Sequence, residues 1–279
     1  MAFPIRLGVL RALVKEISID ERKPLLVGGA RELATVLARE LGRDAHPGAV
    51  RADDEPKGGA VFLYVLAGEP SEEDERALKR ARRARVPIVA VVAGPVSDEL
   101  TIHYVLATDV VRVGAGEGFP LAAIASVIAG RLGEDGAPLA AWVPLLRSAV
   151  ADQLVAAFSR RNAIVGAAVF VPGADLPVIA LNELRMVLRL EQAYGLDVDL
   201  RERLPEIGAV LGAGFGMRAL ARQLLDVVPV AGWVVKGAVA YAGTRALGEA
   251  AVRRLEAAPG DHQASIRPRP QGGASRGGL

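Results

Sequence analysis

Cysteine is absent from the 279 residues, which excludes a disulfide framework and thiolate chemistry and removes the usual sulfur ligands of a structural zinc site. Histidine is scarce too. His46, His103 and His262 lie far apart with no metal-ligand spacing, so each reads as an ordinary polar side chain. Lysine supplies five of the 34 basic residues and the formal net charge is only +2, so the basic character reflects a preference for arginine and gives little purchase on nucleic acid. Long apolar runs are missing as well. A simple membrane span needs about 20 mostly apolar residues, whereas the charge-free run Asn162 to Ala174 stops at Asp175 and then resumes only to Asn182. The N-terminal helical segment, residues 1–21, carries Arg6, Arg11 and Lys15 among apolar residues and lacks the uninterrupted stretch of an export signal. These absences predict a cytoplasmic protein, at most associated with the inner face of the membrane.

What is present suffices for a core: 51% of the residues are hydrophobic and 24% charged. Over residues 22–135 short apolar runs alternate with polar helical stretches, the pattern of βαβ units around a buried parallel sheet. Four strands are predicted, at Pro24 to Val27, Ala60 to Leu66, Ile88 to Val92 and Val110 to Val113. A helix from about Arg31 to Leu41 ends at Gly42, and another starts at Ser71, with Asp74 three residues on as its reciprocal capping partner. Acids at the start of Glu72 to Arg85, and Lys79, Arg80, Arg82, Arg83 and Arg85 toward its end, complement the helix dipole. They read first as a solvated face and second as a contact for an anionic partner. Beyond residue 139 the alternation gives way to helices. Trp142, Leu145, Leu146, Ala149, Val150, Leu154 and Phe158 form one apolar stripe, and further helices are predicted over Leu176 to Tyr194, Arg201 to Leu225 and Val230 to Leu255. The fold class expected is therefore α/β, a Rossmann-like or G-domain-like parallel sheet over residues 22–135, followed by an all-α, Gly-rich apolar domain over 139–258. Residues 259–279, rich in Pro, Gly, Ser and Arg, are expected to be disordered.

Leu25-Leu26-Val27-Gly28-Gly29 leads into a helix, the place of a phosphate-binding loop in a nucleotide hydrolase. Counted from Gly28 in the pattern G-x-x-x-x-G-K-S/T, the second glycine is Leu33 and the lysine is Ala34, and only Thr35 matches. The Cβ of Leu33 is expected to obstruct the close approach of phosphate, and no ammonium meets its charge. Since no G-x-G-x-x-G follows Val27, a dinucleotide site is not indicated either. The Gly114-x-Gly116-x-Gly118 run is ordinary turn chemistry.

The same arrangement resembles the G domain of small bacterial GTPases of the Era type. Phe62 to Leu66 followed by Ser71 to Asp74 resembles its third strand and helix, and Gly114 to Gly118 its final loop. Two departures stand out: Ala93-Gly94-Pro95-Val96 replaces the guanine-reading Asn-Lys-x-Asp, and the metal-associated Asp-x-x-Gly is missing before Ala60, with Asp53 and Asp54 nearby upstream. The resemblance implies a degenerate, pseudo-GTPase-like domain without enzymatic activity, cofactor or metal, in which Gly28, Gly29 and Thr35 mark the vestigial phosphate-loop position.

In the C-terminal half, Val171 to Pro177, Asn182 to Leu190, Tyr194-Gly195, Val228 to Gly232 and Ala242 to Gly248 occur in an order that resembles the bacterial family called domain of unknown function 697, which includes YcjF-type proteins. That family often accompanies a GTPase domain and is associated with the cytoplasmic membrane. The resemblance implies docking of a protein partner, self-association or peripheral membrane contact. Candidate partner-contacting or structural residues are Asp175, Asn182, Arg185, Arg189, Tyr194 and Thr244. Asp175 would cap the following helix, pair with Arg185 or Arg189, or bind a ligand. Arg185 and Arg189, four apart, form a solvated or salt-bridged face or a two-arginine anion contact. Gly208, Gly212 and Gly216 repeat every four residues and permit close helix packing in water or in lipid. Two other functions stay open: a deeply inserted membrane protein whose Asn162 to Asn182 and Ile207 to Gly248 segments enter lipid, and a nucleotide-dependent hydrolase with an atypical loop.

Overall fold

The structure, a computed structural model, describes residues 17, 23–95, 97, 100–114, 116–168, 176–196 and 232–257. Strands β1 (Leu25–Gly29), β2 (Val50–Ala52), β3 (Val61–Leu66), β4 (Ile88–Ala93) and β5 (Val110–Val113) form one parallel sheet in the order β2-β1-β3-β4-β5. Helices α1 (Arg31–Leu41), α2 (Glu72–Arg83) and α3 (Leu121–Leu132) connect or follow these strands. Helices α4 (Gly136–Trp142), α5 (Arg147–Ala168), α6 (Leu176–Ala193) and α7 (Gly232–Ala257) make up the C-terminal part. The architecture is thus α/β with a C-terminal helical portion. This strand order is one of the two common ones for doubly wound sheets, and it puts the point where the strand order reverses between β1 and β3, where such folds open their ligand crevice.

The four predicted strands are present; β1, β3 and β4 are apolar enough to lie between two layers, every residue of β3 being buried, and β5 closes the edge with Arg112 exposed. β2 is a correction: the sequence pattern predicts no strand at Val50 to Ala52. It is a three-residue edge strand with Arg51 and Ala52 exposed, too short and too polar to resemble a buried strand, and it is recruited by pairing with Leu25 to Val27. Helix α2 carries the full capping box. The Ser71 hydroxyl accepts from the Asp74 amide at 3.3 Å, and the Asp74 carboxylate accepts from the Ser71 amide at 2.8 Å.

Two apolar layers flank the sheet. Leu26, Phe62, Tyr64, Ala90 and Val92 face Ala77, Leu78 and Ala81 of α2. Val27, Leu63, Val65, Val89 and Val91 face Leu37 of α1 and Ile124 and Ile128 of α3, and that cluster continues without a break through Leu139, Leu154 and Phe158 to Met186 and Leu190. The boundary expected near residues 136–138 lies inside this continuous core. The apolar stripe from Trp142 to Phe158 is also not one helix. Val143 takes an extended conformation (φ −118°, ψ 88°) because the residue before a proline is disfavoured in the helical region, so Pro144 divides α4 from α5 with a short 3-10 turn.

In the C-terminal part, α7 crosses α5 at very close range. A Cβ built on Gly166 would lie 3.0 Å from the Ala240 methyl, and one on Gly237 would lie 3.1 Å from the Ala163 carbonyl oxygen. Small residues achieve here the close approach expected of Gly208, Gly212 and Gly216, which lie outside the described residues. The contacts of Gly166 with Ala240 and of Val155 with Gly248 set α5 antiparallel to α7, and the pairings Glu183 with Thr244 and Tyr194 with Glu256 set α6 parallel to it. Buried Ile17 is tied to α6 through its carbonyl oxygen, which accepts from Gln192 Nε2 at 2.9 Å. The rest of the predicted N-terminal segment, the predicted helix Arg201 to Leu225 and the tail lie outside the described residues.

Candidate functional site

Above the carboxyl ends of β1 and β2 lies an open cleft of about 810 Å³ lined in part by Gly29, Arg31, Thr35, Asp53, Asp54, Glu55 and Arg80. It is the position that sequence reasoning assigned to a vestigial phosphate loop. Leu33 does not obstruct it, which corrects the expectation. Helix α1 begins at Arg31, so its third residue rotates inward, and Leu33 packs on the sheet-facing core. The obstruction comes instead from polar groups that the loop has already engaged.

The Gly29 amide donates to the Asp54 carboxylate, Oδ1, at 3.0 Å, and the next amide, Ala30, donates to the Val65 carbonyl at 2.9 Å. A phosphate loop offers such consecutive amides to the ligand; in this loop both are satisfied internally. Thr35, the single residue matching the motif, turns its hydroxyl back to the Arg31 carbonyl at 2.8 Å. The lining holds three carboxylates against two guanidiniums, a sign that opposes a triphosphate. Asp53 is in turn held by the Glu55 amide at 3.0 Å and by Arg51 at 3.8 Å. Among the described residues no cluster of acidic or histidine side chains is arranged to hold a metal ion.

Both glycines are required by contact. A Cβ on Gly28 would fall 2.8 Å from the Phe62 ring and 2.9 Å from Asp54 Oδ1, and one on Gly29, whose φ is +100°, would collide with the Val65 carbonyl oxygen. The loop is therefore built tight against β3 rather than held open above the strands. Nearby, the Tyr64 hydroxyl donates to Asp74 at 2.8 Å. Burial, reinforced by that carboxylate, raises the phenol far above its ordinary range.

The second concentration of predicted residues is a polar seam between α5, α6 and α7. Asn182 Nδ2 donates to Asn162 Oδ1 at 2.8 Å, Asn162 Nδ2 donates to Thr244 Oγ1 at 3.0 Å, and Thr244 Oγ1 donates to Glu183 Oε1 at 3.1 Å. Asn162 and Thr244 are fully buried and Glu183 nearly so. Donors thus run in one direction and converge on a carboxylate inside the bundle, which fixes the register of all three helices. The structure brings together Asn182 and Thr244 from the sequence candidates. It adds Asn162 and Glu183, whose signal was a polar residue on an otherwise apolar helical face.

The remaining candidates scatter. Asp175 lies outside the described residues, and so does any pairing with Arg185 or Arg189. Arg185 reaches Glu134 at 3.0 Å, an ion pair whose N–H is not aligned for a hydrogen bond, and Arg161 meets the other oxygen of the same carboxylate at 2.8 Å. Arg185 is thus on a salt-bridged, partly exposed face, as one of the two expected readings has it, whereas Arg189 is 8% exposed and donates to Gln192 Oε1 at 2.9 Å. Tyr194 donates to Glu256 at 3.1 Å, and burial together with that carboxylate pushes its phenol up to about 12. Among the described residues, no helix is long and apolar enough to cross a membrane.

No family model, curated protein or solved structure matches this chain.

Proposed function

We propose that the chain is a non-enzymatic docking scaffold: a pseudo-GTPase-like α/β unit that presents a helical part, of the kind found in domain of unknown function 697, to a protein partner or a second copy at the inner membrane face. The observation that carries this reading is the contact between the Gly29 amide and Asp54, by which the protein's own carboxylate takes up an amide that a phosphate loop would leave to its ligand. The internally bonded Ala30 amide, the back-bonded Thr35 hydroxyl and the excess of carboxylates around the cleft support it. The tight packing of α5 against α7 and the directed seam at Asn162, Thr244 and Glu183 give the helical part the fixed shape that docking needs.

The test is a melting experiment with millimolar GTP or ATP and magnesium. A ligand at 100 times its Kd stabilises the native state by about 2.7 kcal/mol, an easily read shift. The scaffold reading expects none with either nucleotide, and a saturable, magnesium-dependent rise overturns it. Fractionation of cell extracts with pull-down on the full chain checks the docking half, where a monomer that retains no partner argues against it.

A further inference from the structure

At the opposite, amino-terminal edge of the sheet, three arginines converge from both layers on a cavity of about 380 Å³. Arg82 comes from the end of α2, Arg85 from the turn that follows it, and Arg131 from the last turn of α3. Tyr104 completes the wall, and Val86, Pro87 and Ile88 form an apolar floor. Among the described residues the guanidiniums of Arg82 and Arg85 have no hydrogen-bond or ion-pair partner. Arg131 pairs with Asp109, Nε to Oδ2 at 3.4 Å. Asp109 is itself nearly buried, so it holds the guanidinium in place while cancelling one of three positive charges.

The convergence argues for a pocket rather than an accident of a basic helix end: a solvated helix face would scatter its arginines, whereas residues from α2, from the turn after it and from α3 meet here around one cavity. The left-handed turn at Arg85 (φ +58°), closed by the Val86 amide donating to the Ala81 carbonyl at 3.1 Å, fixes where that side chain leaves the helix end.

We infer that Arg82, Arg85, Arg131 and Tyr104 form a binding site for a phosphate group, carried either by a small soluble ligand or by a lipid headgroup. Guanidinium forks match phosphate oxygens in pairs, and three of them with one compensating carboxylate suit a dianion. The cavity is of the size for a phosphate or pyrophosphate with a small substituent, and its apolar floor accepts the substituent. This site shares no residue with the β1 cleft, so it is independent of the docking proposal.

Calorimetric titration of the full chain with pyrophosphate at low ionic strength tests it. Saturable one-site binding that weakens with added salt is expected. The double variant Arg82→Ala with Arg85→Asn, asparagine being tolerant of left-handed backbone, should weaken it by about tenfold or more. Arg83→Ala, which removes a neighbouring exposed arginine outside the cavity, should leave the Kd within about twofold. Flotation with phosphatidic acid vesicles, against phosphatidylcholine alone, separates the sources: co-flotation that the double variant abolishes assigns a headgroup, and pyrophosphate binding without flotation assigns a soluble ligand. Absence of both, or equal losses in Arg83→Ala and the double variant, overturns the inference.

Discussion

Replacing Thr244 with valine keeps the shape of the side chain and removes only the hydroxyl at the centre of the α5–α6–α7 seam. That hydroxyl accepts from Asn162 at 3.0 Å and donates to Glu183 at 3.1 Å, with all three side chains almost inaccessible to water. Leaving a buried donor without its acceptor costs about 1–3 kcal/mol, and withdrawing a donor from a buried carboxylate costs about as much again, giving roughly 3–4 kcal/mol in all. At about 3 °C per kcal/mol for a protein of this size, the melting temperature should fall by roughly 10 °C. Asn182→Ala breaks a single bond at the half-buried start of the same chain of donors and should cost about 1 kcal/mol. Urea unfolding of the three proteins side by side measures both differences. A Thr244→Val loss under about 1 kcal/mol, or one no larger than that of Asn182→Ala, refutes the claim that the seam is a cooperative element of the core.

The remaining predictions concern other parts of the molecule. Gly29→Ala drives a Cβ into the Val65 carbonyl at a left-handed position and should destabilise by about 3 kcal/mol or more, or abolish soluble expression; a melting curve like that of the parent contradicts the tight-loop geometry. Ser159→Ala should be neutral or slightly stabilising, because its hydroxyl is fully buried with no partner among the described residues, so deletion removes a desolvation cost. Alkaline titration should separate Tyr194→Phe from the parent. A phenol whose folded pKa is raised contributes stability that is complete below the unfolded value near 10 and lost as the pH climbs through about 12. The variant's stability should therefore fall less steeply between those pH values, and parallel curves count against the burial of this phenol.

Much of the sheet could be read from the chain because fully buried parallel strands are unbroken apolar runs, as Val61 to Leu66 illustrates, and because Ser71 and Asp74 announce their helix by spacing alone. β2 escaped for the opposite reason: three residues with Arg51 in the middle carry no period, and only pairing with β1 makes them a strand. The sequence marks Gly28, Gly29 and Thr35 as a loop position, and Gly29 and Thr35 line the cleft there, but the part it gives Leu33 is denied by the first turn of α1. The group that engages the loop, Asp54, lies 25 residues away and arrives there only through the register of β2 on β1. Asn182 and Thr244 were visible as motif residues, yet their joint use with Asn162 depends on which turn of α5 faces them, a fact held in helix packing rather than in local pattern. Arg185 keeps the salt-bridged role the spacing allows, but the burial of Arg189 could not be read, since four-residue spacing says nothing about which face of α6 is covered.

The measurement closest to the central claim follows the backbone amide resonance of Gly29 while magnesium GTP is added, with Asp54→Ala as reference. The account predicts a resonance that stays fixed throughout the nucleotide titration and moves when the Asp54 carboxylate is removed. A Gly29 amide that shifts saturably with nucleotide in the parent protein, or that ignores the loss of Asp54, contradicts it.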